Sequence, residues 1–193
     1  MKNIMLTIKR LVCAVLCAAV PLTAARAQTQ ESAPQEAPVR AELLMEAGTG
    51  QVLYERNADA RVPMASITKA TALLIWAEML ESGELSLDEK VKASAAAGGA
   101  EGSVIWLEAG EEMTVAELIE AVIISSANDA CIALAEHTAG SEAQFVKLMN
   151  KRARELGMKN TRYTGCVGFD AKGHYSTARD IAVVTAELMK HEV

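Results

Sequence analysis

Two short segments near residue 50 carry apolar side chains in strand-like runs. They are residues 41–46 (AELLME) and 51–55 (QVLYE), and residues 47–50 (AGTG) join them. Two such runs separated by a glycine-containing loop predict a β-hairpin. A two-stranded hairpin is only marginally stable by itself, so we expect it to have partner strands.

Five later segments have the spacing of helices, with apolar residues recurring at intervals of three and four. Two of them begin with capping-box patterns, Thr114 with Glu117 and Ser141 with Gln144. In the predicted helix over 142–156, the side chains expected to face the core are those of Phe145, Leu148, Met149 and Leu156. The predicted helices run over 66–82, 115–123, 129–137, 142–156 and from Ser176 or Thr177 to Val193.

The order of these elements predicts an α+β fold, with an antiparallel sheet and a cluster of helices. Residues 90–110 are irregular and glycine-rich, and they predict a loop with short strands. Few further strands are visible, and the last helical pattern reaches Val193 without a cap. We therefore expect the domain to be cut off before its C-terminal strands.

The first 27 residues have the pattern of a secretory signal peptide. Basic residues precede an apolar stretch, 11–22, and Ala25-Arg26-Ala27 provides small residues at the cleavage site. An uncleaved membrane anchor is the alternative. Residues 28–38 (QTQESAPQEAP) are polar and contain proline, which predicts a flexible leader. Residues 39–193 would then form the folded domain.

Composition narrows the functional classes. The formal net charge is −6 and no basic stripe is visible, so nucleic acid is not an expected partner. His137 and His174 lack metal-ligand spacing and are interpreted as structural, so neither a metal nor a cofactor is expected. Trp76 and Trp106 are expected in the core or in the wall of a cleft.

Two cysteines, Cys131 and Cys166, follow the predicted signal peptide. An exported chain could pair them in a disulfide. The alternative, two separate small apolar residues, is equally consistent with the sequence, and the choice stays open.

The candidate chemistry lies in two short motifs. Ser66 and Lys69 are three residues apart in a first helical turn, so their side chains lie on one face. A serine hydroxyl is a weak nucleophile until an adjacent base activates it, and the lysine amine is within reach. Ser126-Ala127-Asn128 follows sixty residues later in a similar apolar setting. Each motif alone also fits ordinary helix capping.

In combination and in this order, the motifs resemble those of serine penicillin-recognising enzymes. The chain resembles in particular the low-molecular-mass penicillin-binding proteins, the D-alanyl-D-alanine carboxypeptidases of bacterial cell-wall maturation. The resemblance covers about residues 40–190 and implies a β-lactamase/transpeptidase-like fold. The segments that carry it are 44–54 (LMEAGTGQVLY), 65–69 (ASITK), 125–130 (SSANDA) and 173–180 (GHYSTARD).

The resemblance implies a role for each motif residue. Ser66 would attack the carbonyl between the two terminal D-alanines of a peptidoglycan stem peptide, forming an acyl-enzyme. Lys69 would be its base, and Ser126 would relay a proton to the leaving amine. Asn128 would hydrogen-bond the amide backbone of the substrate. The implied partners are stem peptides ending in D-Ala-D-Ala and β-lactam antibiotics as inhibitors.

One motif of that family is missing from this sequence. The family carries Lys-Thr-Gly or Lys-Ser-Gly on a strand beside the nucleophile, and here Lys172-Gly173 lacks the intervening hydroxyl residue. In the family that strand follows the segment corresponding to 173–180. We therefore expect residues 39–193 to be a partial penicillin-binding domain.

Two other functions remain open at this point. A class A β-lactamase shares both motifs, but its deacylating glutamate precedes an asparagine by four residues, and here Val146 and Leu156 occupy those positions. A catalytically inactive peptidoglycan-binding protein would fit the missing third motif. Whichever of the three functions holds, the signal peptide predicts export to the cell envelope, at the outer face of the cytoplasmic membrane or in the periplasm or cell-wall space. A C-terminal segment that is not in this sequence could attach the protein to the membrane.

Overall fold

The predicted hairpin is present. The computed structural model describes residues 39–191, so the predicted signal peptide and leader lie outside the described residues. Strand β1 (Glu42–Met45) pairs antiparallel with β2 (Val52–Arg56), with Leu44 opposite Tyr54. The Glu46 carboxylate accepts a hydrogen bond from the Gly48 amide at 3.0 Å, which holds the connecting turn.

A second antiparallel pair begins within the segment expected to be a loop with short strands. Strand β3 (Lys90–Lys92) lies in that segment and pairs with β4 (Glu112–Thr114), which begins just after it. Between them is a four-residue helix, α2 (Ala95–Gly98), which the sequence did not predict. Over residues 39–191 the strands form two separate two-stranded sheets and not one continuous sheet.

The other helices begin and end close to the predicted positions. The first follows a 3-10 turn (Ala65–Thr68), and the capping box of Thr114 and Glu117 forms as predicted. The last helix ends at Leu188, so the prediction that it runs to Val193 is wrong. The bounds are α1 (Lys69–Ser82), α3 (Val115–Ile124), α4 (Asn128–Ala139), α5 (Glu142–Glu155) and α6 (Ala178–Leu188).

The core lies where α1 packs against α4, α5 and α6. Trp76 of α1 stacks on Phe145 of α5 with ring centroids 5.1 Å apart, and both side chains are fully buried. The Trp76 indole N–H donates to the Thr138 hydroxyl at 3.2 Å, so the ring brings no unsatisfied donor into the core. Trp106, by contrast, is 83% exposed, so of its two expected places the core is excluded.

The inward face of α5 differs from the prediction at one position. Phe145 and Met149 are fully buried, and Leu156 is partly buried, as expected. Leu148 is 38% exposed, so its predicted inward position is wrong. Phe145, Met149 and the buried Ala153 recur every four residues, which leaves Leu148 at the edge of the apolar stripe.

Within the described residues, no helix is both long enough and apolar enough to cross a membrane.

Phe145 and Leu148 allow a matched test of the core. Phe145→Ala should lower the free energy of unfolding by about 3–5 kcal/mol, because it opens a cavity beneath Trp76. Leu148→Ala, on the same helix, should cost less than about 1 kcal/mol, because the site is partly solvated. Urea denaturation monitored by circular dichroism measures both, and equal losses would contradict this packing.

Candidate active site

Ser66 and Lys69 lie on one side of the 3-10 turn that precedes α1. Residues three apart in such a turn eclipse each other, and Lys69 Nζ is 3.1 Å from Ser66 Oγ. Ser66 is exposed while Lys69 is only 3% exposed. The hydroxyl is therefore open to solvent, and the amine beside it is shielded.

Ser126 and Asn128 come to the same amine from the connection between α3 and α4. Ser126 has φ +53°, a left-handed conformation that turns the chain sharply before α4 begins. Lys69 Nζ is 3.3 Å from Ser126 Oγ and 2.6 Å from Asn128 Oδ1. All four residues singled out from the sequence therefore meet at Lys69 Nζ.

The surroundings of Lys69 favour its neutral form. Burial lowers its pKa below the ordinary lysine value, and the opposing influence of Cys131 and Cys166 is smaller. No carboxylate in residues 39–191 forms an ion pair with it. A neutral amine has one lone pair and two N–H donors. It can accept the Ser66 proton and donate to Ser126 and Asn128, which is the arrangement of a general base.

Two hydrogen bonds hold Asn128 in addition to the one with Lys69. Its Nδ2 donates to the Glu101 carbonyl at 2.7 Å, and its backbone N–H donates to the Ser103 carbonyl at 2.7 Å. These bonds turn Oδ1 toward Lys69. The second Nδ2 hydrogen has no protein acceptor among the described residues.

Asp129, the next residue, has a supporting role that the sequence analysis missed. Its carboxylate is 2% exposed and accepts the backbone N–H groups of Ile105 and Leu107, each at 3.0 Å. These bonds fix the loop that carries Glu101 and Ser103 against Asn128. An aspartate in the first turn of a helix directly after the second motif was the available sequence signal, but that position is also common for simple helix stabilisation.

The loop after α5 closes the other side of the 3-10 turn that carries Ser66. His174, interpreted from sequence as structural, is buried and joins the two segments. The Thr164 N–H donates to Nδ1 at 3.1 Å, so Nδ1 carries no proton. Nε2 then carries it and donates to Thr68 Oγ1 at 2.9 Å. Burial lowers the pKa of His174, in accord with a neutral ring, and Asp170 opposes this.

Glycine is required where this loop meets the turn that carries Ser66. Gly168 has φ +97°, and a Cβ there would lie 1.9 Å from the Ala65 carbonyl oxygen. Ala65 itself has φ +47°. The two backbones are therefore in direct contact immediately before Ser66, which fixes the position of the hydroxyl.

Cys131 and Cys166 lie behind this site as free, fully buried thiols. The Cys131 thiol approaches the Cys166 carbonyl oxygen at 3.6 Å, so helix α4 and the loop touch at this point. A hydrogen bond with Cys131, followed by burial, raises the pKa of Cys166. No three acidic, histidine or cysteine side chains within residues 39–191 are grouped so that they could hold a metal ion.

Comparison with known proteins places this site in context. Residues 27–193 match the family model described as D-alanyl-D-alanine carboxypeptidase. The D-alanyl-D-alanine carboxypeptidase DacF of Bacillus subtilis is 46% identical over 150 residues, which are 78% of this chain and 39% of that protein.

Solved structures agree with this match. The D-alanyl-D-alanine carboxypeptidase DacD of Francisella tularensis superposes with a TM-score of 0.76 at 34% identity, over 78% of this chain and 37% of that one. Penicillin-binding protein D2 of Listeria monocytogenes, in its cefotaxime-bound form, gives 0.69 at 31% identity, over 78% and 61%. The chain spans less than half the length of DacF and DacD. The α+β, transpeptidase-like fold predicted from the sequence is confirmed.

His174 predicts a pH dependence of stability. Its folded-state pKa is lowered, so below the unfolded-state value of about 6.5 the unfolded chain binds a proton that the folded chain does not. The free energy of unfolding should therefore fall between pH 7 and 5, by at most about 1.4 kcal/mol per pH unit. Urea titrations across this range measure the slope.

Two histidine variants separate this effect from general acid instability. His174→Gln should flatten the slope, because no imidazole is left to titrate at that position. His137→Gln should leave it in place, since His137 is on the surface beside Glu89. A slope that persists in His174→Gln would assign the pH dependence to other groups.

Proposed function

The chain belongs to the D-alanyl-D-alanine carboxypeptidase family, and on that premise we propose that it acts as a serine-type D-alanyl-D-alanine carboxypeptidase on peptidoglycan stem peptides. One observation carries the proposal. Lys69 Nζ is 3.1 Å from Ser66 Oγ and is buried with no carboxylate partner in the described part of the chain, so a base is poised beside an exposed nucleophile.

In the first half-reaction, Ser66 Oγ bonds to the carbonyl carbon between the two terminal D-alanines, and its proton passes to Lys69 Nζ. The tetrahedral intermediate then collapses and its C–N bond breaks. The leaving amine takes a proton from Lys69 through the Ser126 hydroxyl, which is 3.3 Å from Nζ. The uncommitted Nδ2 hydrogen of Asn128 would bind an amide carbonyl of the substrate. The products are D-alanine and an ester on Ser66.

In the second half-reaction, water hydrolyses the ester on Ser66 and Lys69 again serves as the base. It gives a proton to Lys69 as its oxygen adds to the ester carbonyl, and the departing Ser66 Oγ then recovers that proton. A positioned base contributes typically 10²–10⁴-fold to such steps. Lys69 must be neutral at the start of each half-reaction, so the pKa lowered by burial bears directly on the rate.

The proposal extends to inhibitors and location. β-Lactams would acylate Ser66, which is supported by the similar Listeria protein in its cefotaxime-bound form. Residues 1–27 would serve as a signal peptide and direct the protein to the cell envelope, with residues 28–38 as a leader before the penicillin-binding domain. Association with the membrane through a further C-terminal segment remains part of the proposal.

Labelling by penicillin tests the nucleophile. The full-length protein should form a covalent adduct on Ser66, located by mass spectrometry of tryptic peptides. Ser66→Ala should abolish it, and Ser125→Ala, which removes an exposed neighbouring hydroxyl, should not. An adduct on Ser126, or none, would overturn the assignment, while rapid turnover of penicillin would favour the β-lactamase alternative.

The base is tested by replacing Lys69 with a cation that does not deprotonate. Lys69→Arg should slow acylation by at least about 10²-fold, because arginine stays protonated. In the wild type, the acylation rate should rise with pH and level off below the usual lysine pKa of about 10.4. Lys92→Arg, on the exposed side of β3, is the matched control. Wild-type acylation by Lys69→Arg would mean that Lys69 is only structural.

A further inference from the structure

The four phenylalanine and tryptophan residues divide into two groups. Trp76 and Phe145 stack in the core, while Trp106 and Phe169 are 83% and 54% exposed. Phe169 therefore contributes little to the core. Its backbone is nevertheless held rigidly, because the preceding Gly168 packs against the Ala65 carbonyl.

The ring of Phe169 lies at the entrance to the site. A Cβ on Gly102 would be 3.7 Å from Phe169 Cε1 and 2.9 Å from Asn128 Nδ2, so both groups border the same point. The residue before Phe169, Gly168, contacts the backbone of Ala65, next to Ser66. Phe169 thus extends from the turn that carries the nucleophile to the amide of Asn128.

The geometry points to Phe169 as a specificity-determining residue that packs against an apolar side chain of the acyl donor. This inference rests on the proposed function for the orientation of the substrate. A peptide whose carbonyl binds the free Nδ2 hydrogen of Asn128 runs past the exposed face of the ring. The side chain of the residue before D-Ala-D-Ala is the group we assign to this face.

The size of the effect follows from the area such a contact removes from water. An aliphatic side chain against one aromatic face gains the equivalent of one or two methylene groups, which corresponds to roughly 10-fold discrimination in kcat/KM. Glycine at the same substrate position has no side chain to bury and should gain nothing from the ring.

Two peptides test this assignment, acetyl-Leu-D-Ala-D-Ala and acetyl-Gly-D-Ala-D-Ala. The full-length wild type should have a kcat/KM roughly 10-fold higher for the leucine peptide. Phe169→Ala should lose most of that preference while changing the glycine peptide less than about 2-fold, and Phe169→Leu should retain part of it. Ile123→Ala, which truncates a side chain of similar exposure (55%) on α3, should keep the wild-type preference.

Binding measured without turnover separates this inference from the proposed function. The same peptides are titrated calorimetrically into Ser66→Ala, with and without Phe169→Ala. A leucine preference that Phe169→Ala removes would support the inference even if the protein cleaves neither peptide, an outcome that would refute the proposed function. Equal losses on both peptides, an unchanged preference, or no binding of either would overturn the role of Phe169.

Discussion

A single buried amine organises this protein. Lys69 Nζ contacts oxygen atoms of Ser66, Ser126 and Asn128, and no carboxylate of the described residues pairs with it. A charged ammonium in such a place would lack the counterion that makes burial tolerable. The fold therefore holds the amine toward its neutral form, and a neutral amine beside a hydroxyl can act as a base.

Hydrogen bonds from outside the site keep these oxygens in place. Asp129 accepts backbone N–H groups of the loop that holds Asn128. His174 bridges the loop after α5 and the turn that carries Ser66. Tyr163 links the loop after α5 to helix α1, because its hydroxyl is 2.5 Å from Thr71 Oγ1. Each of these groups is buried and bonded, and removing one would leave a desolvated partner that costs about 1–3 kcal/mol.

Backbone strain is concentrated around the same amine. Within residues 39–191, the non-glycine residues with left-handed backbones are Asn57, Ala65, Trp106 and Ser126, and three of these four lie in segments that border the site. Each such conformation costs on the order of 1–3 kcal/mol and persists only where the surroundings over-determine it. The bonds to Asp129 and the packing of Gly168 on Ala65 supply that constraint. The Ser66 hydroxyl and the Lys69 amine are therefore held in place by the backbone around them.

Local spacing in the sequence determined much of this. The three-residue interval puts Ser66 and Lys69 on one side of their turn whatever the rest of the chain does, and the capping box of Thr114 starts α3 from its own side chains. The family, the α+β fold and the four candidate residues followed from such short-range patterns.

Long-range packing decided the rest. The meeting of Lys69 with Ser126, 57 residues away, depends on how α1 lies against α4. The same packing leaves Leu148 at the edge of the core, although its apolar character and helical spacing predicted burial. Asp129, His174 and Phe169 gain their roles only from neighbours that are distant in sequence. Hydrophobicity and spacing specify which face of an element is apolar, but the partner that face meets is set by the free energy of packing the whole chain.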